Sequence, residues 1–172
     1  DAAHSQSTRS QLHKANFTQT ALCVATSAKN AGGLSSFAPV AGSPAGGTAT
    51  APTTAAGSTP AAGIDGANGA SWKSGQAMAG GEWYRIDMGA TRTVAMVTVQ
   101  TDSGSTWDYP RGFTVETSLD GSTWSTAATG IAYGWKRPIS IAPASARYIR
   151  ITQTGVAPQW WSIDEVTVYS SY

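Results

Sequence analysis

Charge is scarce in this chain: 12% of its 172 residues are Asp, Glu, Lys or Arg, and 11 basic against 10 acidic residues leave a net charge of +1. No basic stripe forms, which excludes the usual nucleic-acid binder, because phosphate neutralisation needs clustered Lys and Arg. No apolar run approaches the roughly 20 residues that a membrane-spanning helix requires, so membrane insertion is not expected. Cysteine is limited to Cys23, and a lone cysteine cannot close an internal disulfide. Within TALCVAT it reads as a small buried hydrophobe rather than a reactive thiol. Both histidines, His4 and His13, lie near the start, apart from Cys23 and from any acid that would complete a nucleophilic constellation. The opening DAAHSQSTRS lacks the charged-then-apolar order of a secretion signal.

Small and aromatic residues take the place of charge. There are 19 Gly and 7 Trp, with long runs of Ala, Ser and Thr, a texture expected of a secreted protein. The length fits one domain with a real core. Residues 1–19 are polar and read as an irregular lead-in. Thr20 to Thr26 reads as a first strand, so the domain is expected to run from 20 to 172. Ala31 to Gly63 is almost wholly Ala, Gly, Pro, Ser and Thr. Composition alone says flexible linker; the segment is read instead as an enlarged loop lying on the domain surface.

Beyond Ile64 the chain turns to strands. Trp83–Met88, Thr93–Gln100, Gly112–Ser118, Thr123–Ala127, Lys136–Ile141, Arg147–Gln153 and Glu165–Tyr169 are the expected segments. Val97 and Val99, Ile149 and Ile151, and Val166 and Val168 each alternate with polar neighbours, the period of a half-buried antiparallel strand. Leu119-Asp120-Gly121-Ser122 carries turn chemistry between two such segments and predicts a hairpin. The fold class is therefore all-β, an antiparallel sandwich or barrel with long loops. Before the hairpin, Asp102 to Arg111 crowds Asp, Trp, Tyr and Arg where no hydrophobic period explains them. Loops held by a rigid sheet commonly carry function.

Five segments in order, IDGANGASW, GGEWYRIDMG, DYPRGFTVETSLDGSTW, ARYIRITQTG and WWSIDEVTVY, cover about the last 110 residues. Together they resemble the discoidin domain, also called the coagulation factor 5/8 C-type domain, in its bacterial family 32 carbohydrate-binding form. CVATSAKN is similar to the family's first strand. The resemblance implies a jelly-roll sandwich of about eight strands that binds ligand with loops at one end. It implies a noncatalytic module or lectin, secreted and bacterial, that targets an attached glycoside hydrolase or a cell surface. It assigns Trp72, Trp83 and Trp124 to core positions. The alternative it leaves open is a protein- or membrane-surface adhesion domain.

The loops at that end hold Lys73; Asp102, Trp107, Asp108, Tyr109 and Arg111; and Trp160 and Trp161. These are the candidate ligand-binding residues, with Gln159 beside them and Trp135 and Lys136 on a further loop that extends the site or covers an edge. An exposed aromatic ring meets the C–H face of a sugar, while Arg and Asp bind its hydroxyls through charge-assisted hydrogen bonds. Arg111 has a second reading, as an ion-pair partner of Asp108 that holds the loop. Of the adjacent tryptophans, one should face out and one in; Trp160 is the outward choice. Glucans or amino-sugar polymers are the expected ligands by analogy alone. Hydrolysis would need two facing carboxylates, and only Asp102 with Asp108 could supply them.

The resemblance also implies a structural calcium held by an Asp-Gly-Asp/Asn-x-x-Thr-x-Trp loop and a C-terminal Glu. Asp65, Asn68 and Glu165 are the candidate ligands here. Ala67 and Ala70 stand where two side-chain oxygens are expected, and calcium needs six to eight oxygens. No cofactor is expected to be required, and calcium, if bound, is structural.

Overall fold

The computed structural model describes residues 37–39, 46–101, 104, 105 and 107–171. The expected lead-in, the expected strand at Thr20–Thr26 with Cys23, and Asp102 lie outside them. Among the described residues the chain forms β1 (Phe37–Pro39), β2 (Thr48–Thr50), β3 (Trp72–Met78), β4 (Trp83–Gln100), β5 (Gly112–Ser118), β6 (Ser125–Ile131), β7 (Lys136–Gln153), β8 (Ala157–Ile163) and β9 (Glu165–Ser171), with one 3-10 turn at Pro60–Ile64. Seven strands make the larger sheet, in the order β1-β9-β4-β7-β5-β6 with β2 also on β4. The smaller sheet is β3 with β8, and every pairing is antiparallel.

Period-two alternation explains the larger sheet. On β4, Tyr84, Ile86 and Met88 are buried while Trp83, Arg85 and Asp87 are partly exposed. The same rule buries Val115, Ile149, Ile151, Val166 and Val168 on its neighbours. The smaller sheet closes over them with Trp72 and Trp161, whose rings meet edge-on at 5.2 Å, and Trp72 also packs on Tyr84 at 5.1 Å. Such aromatic contacts contribute about 0.5–1.5 kcal/mol each beyond their buried area.

Two pairs of expected strands prove continuous. Trp83–Met88 and Thr93–Gln100 are one strand, and so are Lys136–Ile141 and Arg147–Gln153. Gly89, at φ 75°, lets β4 bulge between Asp87 and Arg92 without leaving the sheet. Of the three tryptophans assigned to the core, only Trp72 is there. Trp83 and Trp124 lie partly exposed on the outer face, beneath Arg85 at 5.9 Å and Arg150 at 4.3 Å. Arg150 and Arg147 are each held by two hydrogen bonds to a carboxylate, Glu116 and Asp87 respectively.

Residues 46–63 are bound to the sandwich along their length. β2 pairs with β4 at Thr50–Arg85, the Ala55 amide donates to the Lys73 carbonyl, and the Trp72 indole donates to Thr53 and Thr54.

The β5–β6 hairpin is set by Asp120. Its carboxylate accepts from the Ser122 and Thr123 amides at 2.8 and 2.7 Å and from the Thr123 and Ser118 hydroxyls. Gly121, at φ 74°, crosses the face of Tyr148. The amide bonds, Thr123 first, hold Asp120 down at a pKa of about 2. A depressed carboxyl stabilises the fold above its unfolded pKa of about 3.9, and that contribution is lost as pH falls toward the folded value. Asp120→Ala should therefore melt below wild type at pH 7, and the gap should close between about pH 4 and pH 2. Melting curves across that window check it.

Candidate functional site

Residues 107–111, which lead into β5, are tied together by Arg111. Its guanidinium donates to the Tyr109 carbonyl at 2.6 Å, the Trp107 carbonyl at 2.8 Å and the Gln159 side chain at 3.3 Å. It also stacks over the Tyr109 ring at 4.1 Å. The expected ion pair of Arg111 with Asp108 is corrected: the guanidinium reaches backbone carbonyls and Gln159, and the Asp108 carboxylate goes to Trp160. Trp107 projects from this piece, 64% exposed.

Asp108 is turned inward. It is buried, and its carboxylate accepts the Trp160 indole N–H at 2.6 Å while its carbonyl accepts the Ser162 amide. The expectation that Asp108 binds sugar hydroxyls is corrected: this carboxylate fixes the Trp160 ring on β8. Trp160 is 41% exposed, with the Lys73 ammonium 5.8 Å from its ring centre. Trp161 is fully buried against Trp72, so its candidacy as a ligand contact is corrected too. Strand geometry sends neighbours to opposite faces, and here the inward one belongs to the core.

The structure therefore brings Lys73, Trp107, Tyr109, Arg111 and Trp160 together at one end of the sandwich. Sequence reasoning missed what lies beneath them. Gln153, fully buried, donates to Glu82 and to the Gly155 carbonyl and accepts the Gly155 amide. Glu82 in turn accepts the Ala79 and Gly80 amides. Burial pushes the Glu82 carboxyl up, but these donors together hold it below the usual range. This network fixes the Gly155 turn, against which Arg111 is seated.

At the expected calcium loop the donors point the wrong way for a cation. The Gly66 amide donates to Glu165, the Ala67 amide to Asp65 and the Gly69 amide to Asp164. Gln100 donates to both Asn68 and Asp164. One oxygen of each candidate ligand, Asp65 Oδ1, Asn68 Oδ1 and Glu165 Oε2, is thus met by an N–H group, and among the described residues no cluster of three or more His, Cys, Asp or Glu is placed to hold an ion. The residues as arranged do not fit a calcium shell. Burial first, then the charges of Asp65 and Asp164, raises the Glu165 carboxyl to about 7.

A profile of the F5/8 type C domain matches residues 47–166. The chain belongs to this family. Among solved structures, this F5/8 type C domain is similar to chitosan-binding module 1 of a chitosanase/glucanase from Paenibacillus sp. IK-5, at 26% identity and a TM-score of 0.64 over 72% of this chain and 94% of that one. It is also similar to the family 32 carbohydrate-binding module of AlyQ, solved with 4,5-unsaturated mannuronic acid, at 27% identity and a TM-score of 0.58 over 70% and 92%. The family 32 module of Clostridium perfringens NanJ, solved with galactose, shares the fold at 18% identity and a TM-score of 0.64 over 72% and 93%. No curated protein matches the chain by sequence.

Proposed function

We propose that this F5/8 type C domain is a noncatalytic carbohydrate-binding module that takes a polysaccharide at the end bearing Trp107, Arg111 and Trp160. The observation that carries the reading is Trp160: a half-exposed indole locked by a buried carboxylate, beside Arg111 stacked on Tyr109. A platform already fixed before binding loses little conformational entropy when a sugar stacks on it. The similarity to a chitosan-binding module and to a mannuronate-bound module supports the ligand class. The same likeness supports attachment to a polysaccharide-degrading enzyme and a secreted setting. Asp108, bonded to Trp160, is poorly placed to serve as half of a hydrolytic carboxylate pair.

The test is retention on a panel of glucans, galactans, chitin, chitosan and alginate. Retention by one polymer class supports the reading; passage through all of them overturns it.

Calcium is proposed to be dispensable. An ion present at 100 times its Kd would stabilise the fold by about 2.7 kcal/mol, a rise of roughly 5–10 °C for a domain of this size. Melting in chelator and in millimolar calcium should instead give the same midpoint. A shift of several degrees would overturn the calcium-free loop.

A further inference from the structure

The loop from β6 to β7, which passes over the end of β5, carries more aromatic surface than its turn requires. Gly134, at φ 82°, is the residue the turn needs. Yet Tyr133 is 70% and Trp135 46% exposed, with Ile131 exposed beside them. A cluster of apolar side chains left in water on a small domain marks a contact surface.

This β6–β7 loop is fastened at both ends, to Thr101 and to Arg111. The Trp135 carbonyl accepts the Thr101 amide at 2.6 Å and the Thr101 hydroxyl at 2.9 Å. The Ala132 amide donates to the Arg111 carbonyl, and Ile131 pairs with Gly112. Trp160 stands on the smaller sheet, and Tyr133 and Trp135 on a loop that leaves the larger one, with Arg111 bonded to the neighbour of each group, Gln159 on one side and Ala132 on the other. Packed sheets lie about 10 Å apart, wider than one hexose ring.

We propose that Tyr133 and Trp135 form a second binding arm, so that the ligand is a run of several sugar units lying across the Trp107–Arg111 loop and recognised along its chain. The inference rests on the carbohydrate-binding reading. Chain length separates the two. The arm adds affinity that a disaccharide cannot reach and a longer oligomer can, because the second contact becomes intramolecular once the first is made.

The experiment is calorimetric titration of the full 172-residue chain with two probe ladders, chitosan oligomers and mannuronate oligomers of about two to six units. Affinity for the bound ladder should rise about tenfold between the short and long ends, the change that about 1.4 kcal/mol makes. Tyr133→Ala and Trp135→Ala should flatten that rise and leave disaccharide affinity at the wild-type value. Both side chains are exposed and the Trp135 bond uses its backbone, so unchanged melting curves are expected and confirm folding. A rise that persists in both variants overturns the arm, and so does an equal loss at every length. Binding by the wild type with no rise removes the arm and keeps the carbohydrate reading; no binding by either ladder removes the arm, and the five-polymer panel then decides the carbohydrate reading by itself. Capture of phosphatidylserine vesicles by the wild type, lost in the variants, makes the β6–β7 loop a membrane contact and also overturns the proposal.

Discussion

Trp160→Ala is expected to fold and to lose polysaccharide retention, whereas Trp161→Ala, one residue on, is expected to leave little folded protein. Trp161 is fully buried and edge-on to Trp72 at 5.2 Å. Truncating a buried tryptophan costs about 3–5 kcal/mol, a large part of the roughly 5–15 kcal/mol that holds a domain together. Its indole nitrogen has no hydrogen-bond partner among the described residues. Trp161→Phe, which removes that unpaired group while keeping a ring, should therefore be tolerated far better. Trp160 sits in the opposite regime. Its ring is 41% exposed, and a tryptophan at the centre of a contact commonly accounts for about 2 kcal/mol or more, roughly thirtyfold in Kd. Removing it also strips Asp108 of its indole donor, so some loss of melting temperature accompanies the loss of binding. Trp160→Phe separates the two effects: a ring without the N–H should retain most binding if stacking dominates. Unfolding of Trp160→Ala, or unimpaired retention by it, would contradict the assignment of this ring to the ligand.

The sequence disclosed the larger sheet more readily than the smaller one, and the reason is local. Ile149, Ile151 and Val168 alternate with polar residues because one sheet face is covered and the other partly wet. β3, with the sequence WKSGQAM, breaks that period. Gly75, at φ 76°, lies where an added Cβ would come within 2.9 Å of Ala55, and the register shifts on either side of Ala77. β8 hides for a different reason. Trp161, Ser162 and Ile163 are buried in succession, with Ser162 held by the Asp108 carbonyl as well as by its own sheet. Trp83 and Trp124 were legible as aromatics; Arg85, two residues along the same strand, covers Trp83, but nothing near Trp124 in sequence says that Arg150 on β7 will cover its ring. The site behaved similarly. Residue types in WDYPRGF marked the right loop, and two of the Arg111 partners lie within it, while the direction of Asp108 and the third partner, Gln159, depend on residues 52 and 48 positions away. The Gln153–Glu82 bond spans 71 positions and leaves no local trace.

Arg111→Ala should keep the fold and lose most binding, about thirtyfold or more in Kd if the loop carries a central contact. The argument is geometric. One guanidinium closes three bonds at once, to Trp107, Tyr109 and Gln159, and its flat face lies on the Tyr109 ring. Without it two loop carbonyls lose their donor, and Trp107 loses its fixed position. Arg111→Lys should recover little, since a single ammonium cannot span a forked set of acceptors or stack as a plane. Gly155→Ala offers an independent route to the same state. A Cβ there would fall 2.4 Å from the Arg111 Cβ, closer than real atoms approach, and a tight 3.1 Å from the Gly112 nitrogen. The arginine must then move, although its own side chain is intact. Equal loss of binding in Arg111→Ala and Gly155→Ala, with melting midpoints showing both folded, would identify the position of the guanidinium as what the site needs. Full binding by Arg111→Lys would mean that the positive charge alone suffices, and the loop clasp would then be a feature of the fold and not of recognition.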